Sequence, residues 1–261
     1  MKEQIEKVKR EFTIQAKGFE AYQTIFSKEN FNAMAIEKMR LTGKERVLEV
    51  AAGTCAFGRA IAPHVAYITE LDATEAMLRV GQTQGKKAGI HNAEYIIGEA
   101  VNLPFEEDSF DVVVSRLAFH HFENAEAALR EMCRVLKQNG KLVIVDMAAR
   151  QEELRETADY YERLRDPSHV HCLSEKEFET LAEKCGITKE FTSITEIPVK
   201  LSAWLDLTGV QGETRTKIET AMQNDLAGEL QTGFCPYKQD GEIMFNHRWY
   251  LYIGKVGDKV I

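Results

Sequence analysis

The chain has no apolar run approaching the roughly 20 residues of a membrane span, which excludes a spanning helix. Its opening residues, Met1-Lys2-Glu3-Gln4-Ile5-Glu6-Lys7, carry charge where a signal peptide would carry an apolar core. Basic charge is not in excess: 33 Lys and Arg stand against 41 Asp and Glu, a formal net charge of −8. That balance argues against a nucleic-acid-binding protein. Five cysteines (55, 133, 172, 185 and 235) are scattered, with no Cys-x-x-Cys. Reduced thiols in a cytoplasmic protein fit this usage best. His169-x-His171-Cys172 looks ligand-like, but no second cluster has matching spacing, so no metal site is expected. There is no internal repeat and no low-complexity linker. With 261 residues and 44% hydrophobic content, the chain can build one α/β domain with an accessory lobe.

Also missing is the Gly-x-Gly-x-x-Gly of a dinucleotide site. In its place stands Arg46-Val47-Leu48-Glu49-Val50-Ala51-Ala52-Gly53-Thr54-Cys55-Ala56-Phe57-Gly58: an apolar strand, an acidic residue, a turn of small residues and the start of a helix. Such a turn lets backbone approach a ligand closely. A second carboxylate, Asp72, ends the next apolar run, 23 residues after Glu49. A spacing of about 20 residues places a carboxylate on a ribose hydroxyl in nucleotide-binding βαβ units.

Alternating strands and helices predict a doubly wound, mostly parallel sheet. Residues 3–42 read as helices, with strands at 46–50, 66–71, 94–98, 110–114 and 141–146. Thr74 and Asn124 are predicted N-caps, and Asn139-Gly140 a helix end. Ser174-Glu175-Lys176-Glu177 is a capping box for a helix stopping at Gly186. After residue 146 come two helical insertions, about 150–186 and 200–240, and strands at about 189–199 and 243–253. The insertions are expected to form a lid over the carboxyl edge of the sheet. The divisions are 1–43, an N-terminal helical cap; 44–149, a cofactor-binding core; and 150–261, the rest of the sheet with the lid.

These motifs, in this order, resemble class I S-adenosylmethionine (SAM) methyltransferases, nearest to the ubiquinone/menaquinone C-methyltransferase (UbiE-like) branch. The pieces are Val47–Gly58, Leu71-Asp72-Ala73-Thr74-Glu75-Ala76-Met77-Leu78, Gly98-Glu99-Ala100-Val101-Asn102-Leu103-Pro104-Phe105, Ser109-Phe110-Asp111-Val112-Val113 and Arg134–Gly140. Together they cover about residues 40–150. The resemblance implies a Rossmann-like sheet of seven strands and transfer of a methyl group to a small-molecule acceptor, with S-adenosylhomocysteine as product. The acceptor atom (O, C, N or S) is not legible, and a homodimer stays open. A nicotinamide-dependent oxidoreductase, or a SAM- or nucleotide-binding protein without catalysis, are the alternatives.

The resemblance also implies residue roles. Asp72 takes the ribose hydroxyls, with Ala73 beside it. Ala51, Gly53 and Thr54 lie under the methionine portion, and Glu49 orients the loop or reaches the ammonium. Met77 packs on the ribose or adenine edge, Glu99 and Ala100 edge adenine, and Arg116 and Leu117 border the methionine. Two departures stand out: Ala51 and Cys55 occupy usual glycine positions. Ala51 is tolerated if its φ is negative, and Cys55 is expected to narrow the floor. For a base that deprotonates the acceptor, His169 is the first candidate and Tyr160 a distant second; of the pair His120-His121, His121 is favoured. Phe19, Tyr22 and Phe26 are candidates to close over the cofactor. Residues Thr232–Tyr237 are candidates to line the acceptor pocket.

Overall fold

The computed structural model describes residues 2–26 and 29–257, without the side chains of residues 17, 20–26, 29 and 30. Helices α1 (Lys2–Phe26) and α2 (Glu29–Met39) lead into β1 (Arg46–Val50), α3 (Ala56–Ile61), β2 (Tyr67–Asp72), α4 (Glu75–Lys87) and β3 (Ala93–Ile97). Then come β4 (Phe110–Arg116), α5 (Ala125–Val135) and β5 (Leu136–Met147). The last stretch holds α6 (Arg155–Arg165), α7 (Glu175–Lys184), β6 (Ile187–Lys200), α8 (Leu201–Leu207), α9 (Gly212–Leu226), β7 (Tyr237–Gln239) and β8 (Glu242–Val256).

Seven strands run in the order β3-β2-β1-β4-β5-β8-β6, and the short β7 pairs with β8 outside that path. The first five are parallel, while β8 is antiparallel to both β5 and β6. β1, β2 and β4 are buried on both faces, as a sheet covered by helices on each side requires. One core lies on the α2, α3, α8 and α9 side, around Trp204, Met222, Phe245 and Trp249. The other lies under α5 and α7, around Phe119, Leu129, Phe178 and Tyr252. Among the described residues, no helix is long and apolar enough to cross a membrane.

Local chemistry sets the element ends. Asn124 accepts from the Ala127 amide, and Ser174 with Glu177 closes a full capping box. Thr74 stands at the N-cap of α4 but its side chain makes no cap bond; the Thr74 amide instead donates to Asp72 Oδ1 at 2.7 Å. α5 ends at Val135, four residues before the expected Asn139 stop. Asn139, at φ 64°, instead makes a turn within the extended stretch of β5.

The strand order reverses between β1 and β4, so their carboxyl ends splay around a crevice, the usual ligand position in open α/β sheets. α1 lies beside that crevice and packs on α4 and α8.

Candidate cofactor and acceptor site

A cavity of about 670 Å³ fills the crevice, a size suited to a cofactor-scale ligand. Its floor is the β1–α3 loop (Ala51, Ala52, Gly53), one wall is the end of β2 with Asp72, Ala73 and Met77, and another is Glu99 and Ala100. Arg116 and Leu117 close the β4 side, and Ile5, Val8, Phe12 and Phe19 of α1 roof it.

The loop is shaped by left-handed backbone. Ala51 (φ 57°), Gly53 (φ 56°) and Leu117 (φ 53°) all border the cavity. For Ala51 and Leu117 this conformation is strained, and such strain collects at ligand sites. The negative φ expected of Ala51 is therefore not what the chain adopts. Cys55 is left-handed too (φ 58°), but its sulfur lies against Gly81 of α4 and leaves the floor clear.

Asp72 is the anchor of the loop. One carboxylate oxygen accepts from the Gly53 amide at 2.8 Å and the other from Thr74. Each oxygen keeps a further lone pair, enough for a vicinal diol. Burial pushes its pKa up, against the backbone bonds from Thr74 and Gly53. Met77 places its terminal methyl 3.6 Å from where a Cβ on Gly53 would lie.

Beneath the loop, Glu49 accepts from the Gly58 amide at 2.8 Å. Its neighbour across the strands is Glu70, 1% exposed and hydrogen-bonded to it. Burial raises both pKa values, and the Glu49 charge raises that of Glu70 further. Both shifts favour the protonated form, Glu70 more than Glu49, and the two carboxyls hydrogen-bond to each other. The Glu70 carboxyl fills the space over Gly58, where an added Cβ would meet its oxygen at 1.9 Å. Arg116 completes the floor, its guanidinium over the rings of Trp249 (5.2 Å) and Phe57 (5.9 Å). Burial brings its pKa down to about 10, against the pull of Glu49 and Asp146.

Of the expected cofactor residues, Glu49, Ala51, Gly53, Asp72, Ala73, Met77, Glu99, Ala100, Arg116 and Leu117 line the cavity. Thr54 is not among them: it is 1% exposed, and its carbonyl accepts from Arg59. Of the expected catalytic residues only His121 borders the cavity. His169 is buried behind it, its Nε2 2.7 Å from Asp159 Oδ1. Tyr160 sits on the outer side of α6, 38% exposed and bonded to Lys217 of α9. Asp159 also gathers His171 (2.7 Å) and lies near Cys172. His169, His171 and Cys172 thus surround one carboxylate: His169 Nε2 and the Cys172 amide bind Asp159 Oδ1, and His171 Nδ1 lies 2.7 Å from Oδ2.

Helices α6–α9 do not line the cavity; the apolar faces of α6, α8 and α9 are spent on the core around Trp204 and Phe234, and that of α7 on the core around Phe119 and Phe178. Residues Thr232–Tyr237 likewise lie away from it, and Gly233 and Phe234 border a separate hollow of about 60 Å³. The roof is α1 instead. Gln4 donates to the Ser168 carbonyl (2.7 Å) and the His121 carbonyl (3.3 Å), and Lys9 pairs with Glu99 at 3.4 Å. Phe19 lines the cavity, while the side chains of Tyr22 and Phe26 lie outside the described residues.

The donors and acceptors fit the expected cofactor. Carboxylates at Glu49, Asp72 and Glu99 ring a largely apolar hollow, which suits a ligand with a diol at one end and positive charge at the other.

The match to known proteins agrees with this geometry. Residues 48–144 match the family model described as a methyltransferase domain. An uncharacterised methyltransferase of Bacillus subtilis, YcgJ, is 30% identical over 84% of this chain and 88% of its own length. Its crystal structure superposes with a TM-score of 0.80 over 87% of this chain and 98% of that one. A putative methyltransferase from Bacillus halodurans gives 0.78 at 27% identity, covering 86% of this chain and 97% of that one. The demethylmenaquinone methyltransferase of Listeria welshimeri is 38% identical, over 41% of this chain and 47% of the enzyme.

Proposed function

Since the chain belongs to the class I SAM-dependent methyltransferases, we propose that the second substrate is a small, largely apolar molecule, methylated beneath the first turns of α1. The observation that carries this reading is the continuity of the cavity. It runs from Asp72 and Glu99 past Gly53 and Leu117 to an apolar end at Val8, Phe12, Phe122 and His121.

When bound, SAM supplies an electrophilic methyl group on a sulfonium. Asp72 is assigned to the ribose hydroxyls, Glu99 and Ala100 to the adenine edge, and Ala51, Gly53, Arg116 and Leu117 to the methionine portion. Glu49 orients the loop from below. Residues 1–43 act as the cap, 44–149 as the cofactor-binding core, and 150–261 complete the sheet and support the wall behind His121. The protein's share of the work is alignment and exclusion of water, which in-line displacement needs most.

The nicotinamide alternative is not favoured, because the matching family model is a methyltransferase domain and the Bacillus subtilis relative is named a methyltransferase. The quinone acceptor in the name of the Listeria relative is not carried over, since that likeness spans under half of either chain.

Thermal unfolding with S-adenosylhomocysteine, SAM, NAD or NADP tests the cofactor assignment. A ligand at about 100 times its Kd stabilises by about 2.7 kcal/mol, which moves the midpoint by several degrees in a domain of this size. A shift with SAM and its product alone is expected; a shift only with NAD or NADP overturns the reading. Turnover of SAM on a panel of phenols, quinols, thiols and amines then tests the acceptor.

A further inference from the structure

We propose that Asp166, Ser168 and His121 form a relay that fixes His121 as the Nδ1–H tautomer and leaves Nε2 facing the cavity, as proton acceptor for a phenol or enol on an apolar body. The inference rests on the methyltransferase reading of the same cavity and adds the class of its acceptor.

The argument is one of hydrogen counting. Ser168 is fully buried and has one hydroxyl proton. That proton goes to Asp166 Oδ1 at 2.5 Å, and the Ser168 amide binds the same oxygen at 2.9 Å. The hydroxyl oxygen can therefore only accept from its other neighbour, His121 Nδ1, at 3.1 Å. The ring hydrogen lies on Nδ1, and Nε2 carries the lone pair. Phe12 of α1 meets the ring edge-on at 5.1 Å, and Val8, Leu117 and Phe122 make this end of the cavity apolar.

Several groups set the charge. His120, 4.2 Å from His121 ring to ring, bonds Asp146 at 2.6 Å. Burial disfavours charge on His120, but Asp146 outweighs it and raises its pKa. Burial, then His120 and His169, bring His121 down to about 3, with Asp166 pulling the other way. His121 is thus a neutral, weak base. A weak base suffices for a hydroxyl acceptor, because its oxygen becomes strongly acidic as it gains a third bond. As the new O–C bond forms, the methyl–sulfur bond breaks and its electron pair leaves with the thioether product; the O–H bond breaks, the proton moves to Nε2, and Asp166 balances the imidazolium through Ser168. An amine acceptor that ends as a quaternary cation has no proton to give, and the relay serves it nothing.

The test needs neither cofactor nor acceptor. Two-bond ¹H–¹⁵N spectra of the full chain with ¹⁵N-labelled histidine report the tautomer, and His121→Asn assigns the signal. Between pH 5 and 8 the wild type is expected to show protonated Nδ1 and unprotonated Nε2. Ser168→Ala should move the ring toward the Nε2–H form, and Ser168→Thr should restore it. Protonated Nε2 in the wild type, or an unchanged tautomer in Ser168→Ala, overturns the relay. Either can happen while S-adenosylhomocysteine still binds, so failure here is distinct from failure of the methyltransferase reading.

Discussion

Glu49 and Glu70 face each other in register on adjacent parallel strands and hydrogen-bond under the loop that floors the cavity, burial raising the pKa of both. A carboxyl whose pKa is raised on folding stabilises fully only below its ordinary value, here 4.5. That stability is lost as pH rises toward the folded value. Glu70→Gln keeps a donor to Glu49 and removes the titration. The variant is expected to unfold at a higher guanidinium concentration than wild type at pH 8, with the difference closing toward pH 4. Each unit by which the folded pKa is raised is worth about tenfold in the folding equilibrium. A variant less stable than wild type at pH 8 contradicts the raised pKa of Glu70.

Asp72 serves the fold as well as the ligand. At the end of β2 it accepts from the Gly53 and Thr74 amides. Asp72→Ala should therefore cost about 1–3 kcal/mol of stability for the stranded amides. It should also weaken S-adenosylhomocysteine about 10- to 100-fold, the worth of one or two charge-assisted bonds. Calorimetric titration beside a denaturation curve separates the two effects. Unchanged affinity removes Asp72 from the ribose.

Ala51 is held at φ 57°, where an L side chain costs about 1–2 kcal/mol. Ala51→Gly relieves that cost and gives back about 0.4–1 kcal/mol in unfolded-chain entropy. The expected net gain, about 0.5–1 kcal/mol, raises the midpoint by about 1–4 °C. Cys55→Gly, at nearly the same φ, should gain less, because its sulfur packs on Gly81.

Gln4 ties α1 to the wall behind His121 through the Ser168 and His121 carbonyls. Gln4→Ala removes both bonds, at about 1 kcal/mol each. Hydrogen exchange in the first turns of α1 should speed up roughly 5- to 30-fold, read by mass spectrometry of the backbone amides. Unchanged exchange would assign the hold to Phe12 and Lys9 instead.

The cofactor half of the site was legible because close backbone approach leaves a local signature: small residues after a strand, and a carboxylate one βαβ unit later. Asp72 followed from its spacing after Glu49, and Ala51 and Gly53 from the turn of small residues together with the family resemblance. The catalytic side was harder, since direction on a helix is set by what packs beneath it. Tyr160 and His169 are close in sequence to the right region. Yet α6 turns Tyr160 to Lys217, and Asp159 draws His169 inward. Thr54, in the same loop, is buried and does not line the cavity. Glu70 did leave a trace: a carboxylate inside the apolar run Tyr67–Leu71, on a strand buried on both faces, needs a partner. α1 as roof left a trace at Phe19, a candidate to close over the cofactor that does line the cavity, but its apolar spacing is the same whether it faces a core or a ligand.

The place of β8 has a consequence for biosynthesis. β8 lies between β5 and β6 although both precede it in the chain. While a ribosome is still making residues 242–256, β5 is an open edge and β6 has no partner in the sheet. Unpaired strand edges recruit other chains. A nascent or truncated product lacking β8 would thus expose both strands at once, and soluble expression should fall sharply for any truncation that removes it.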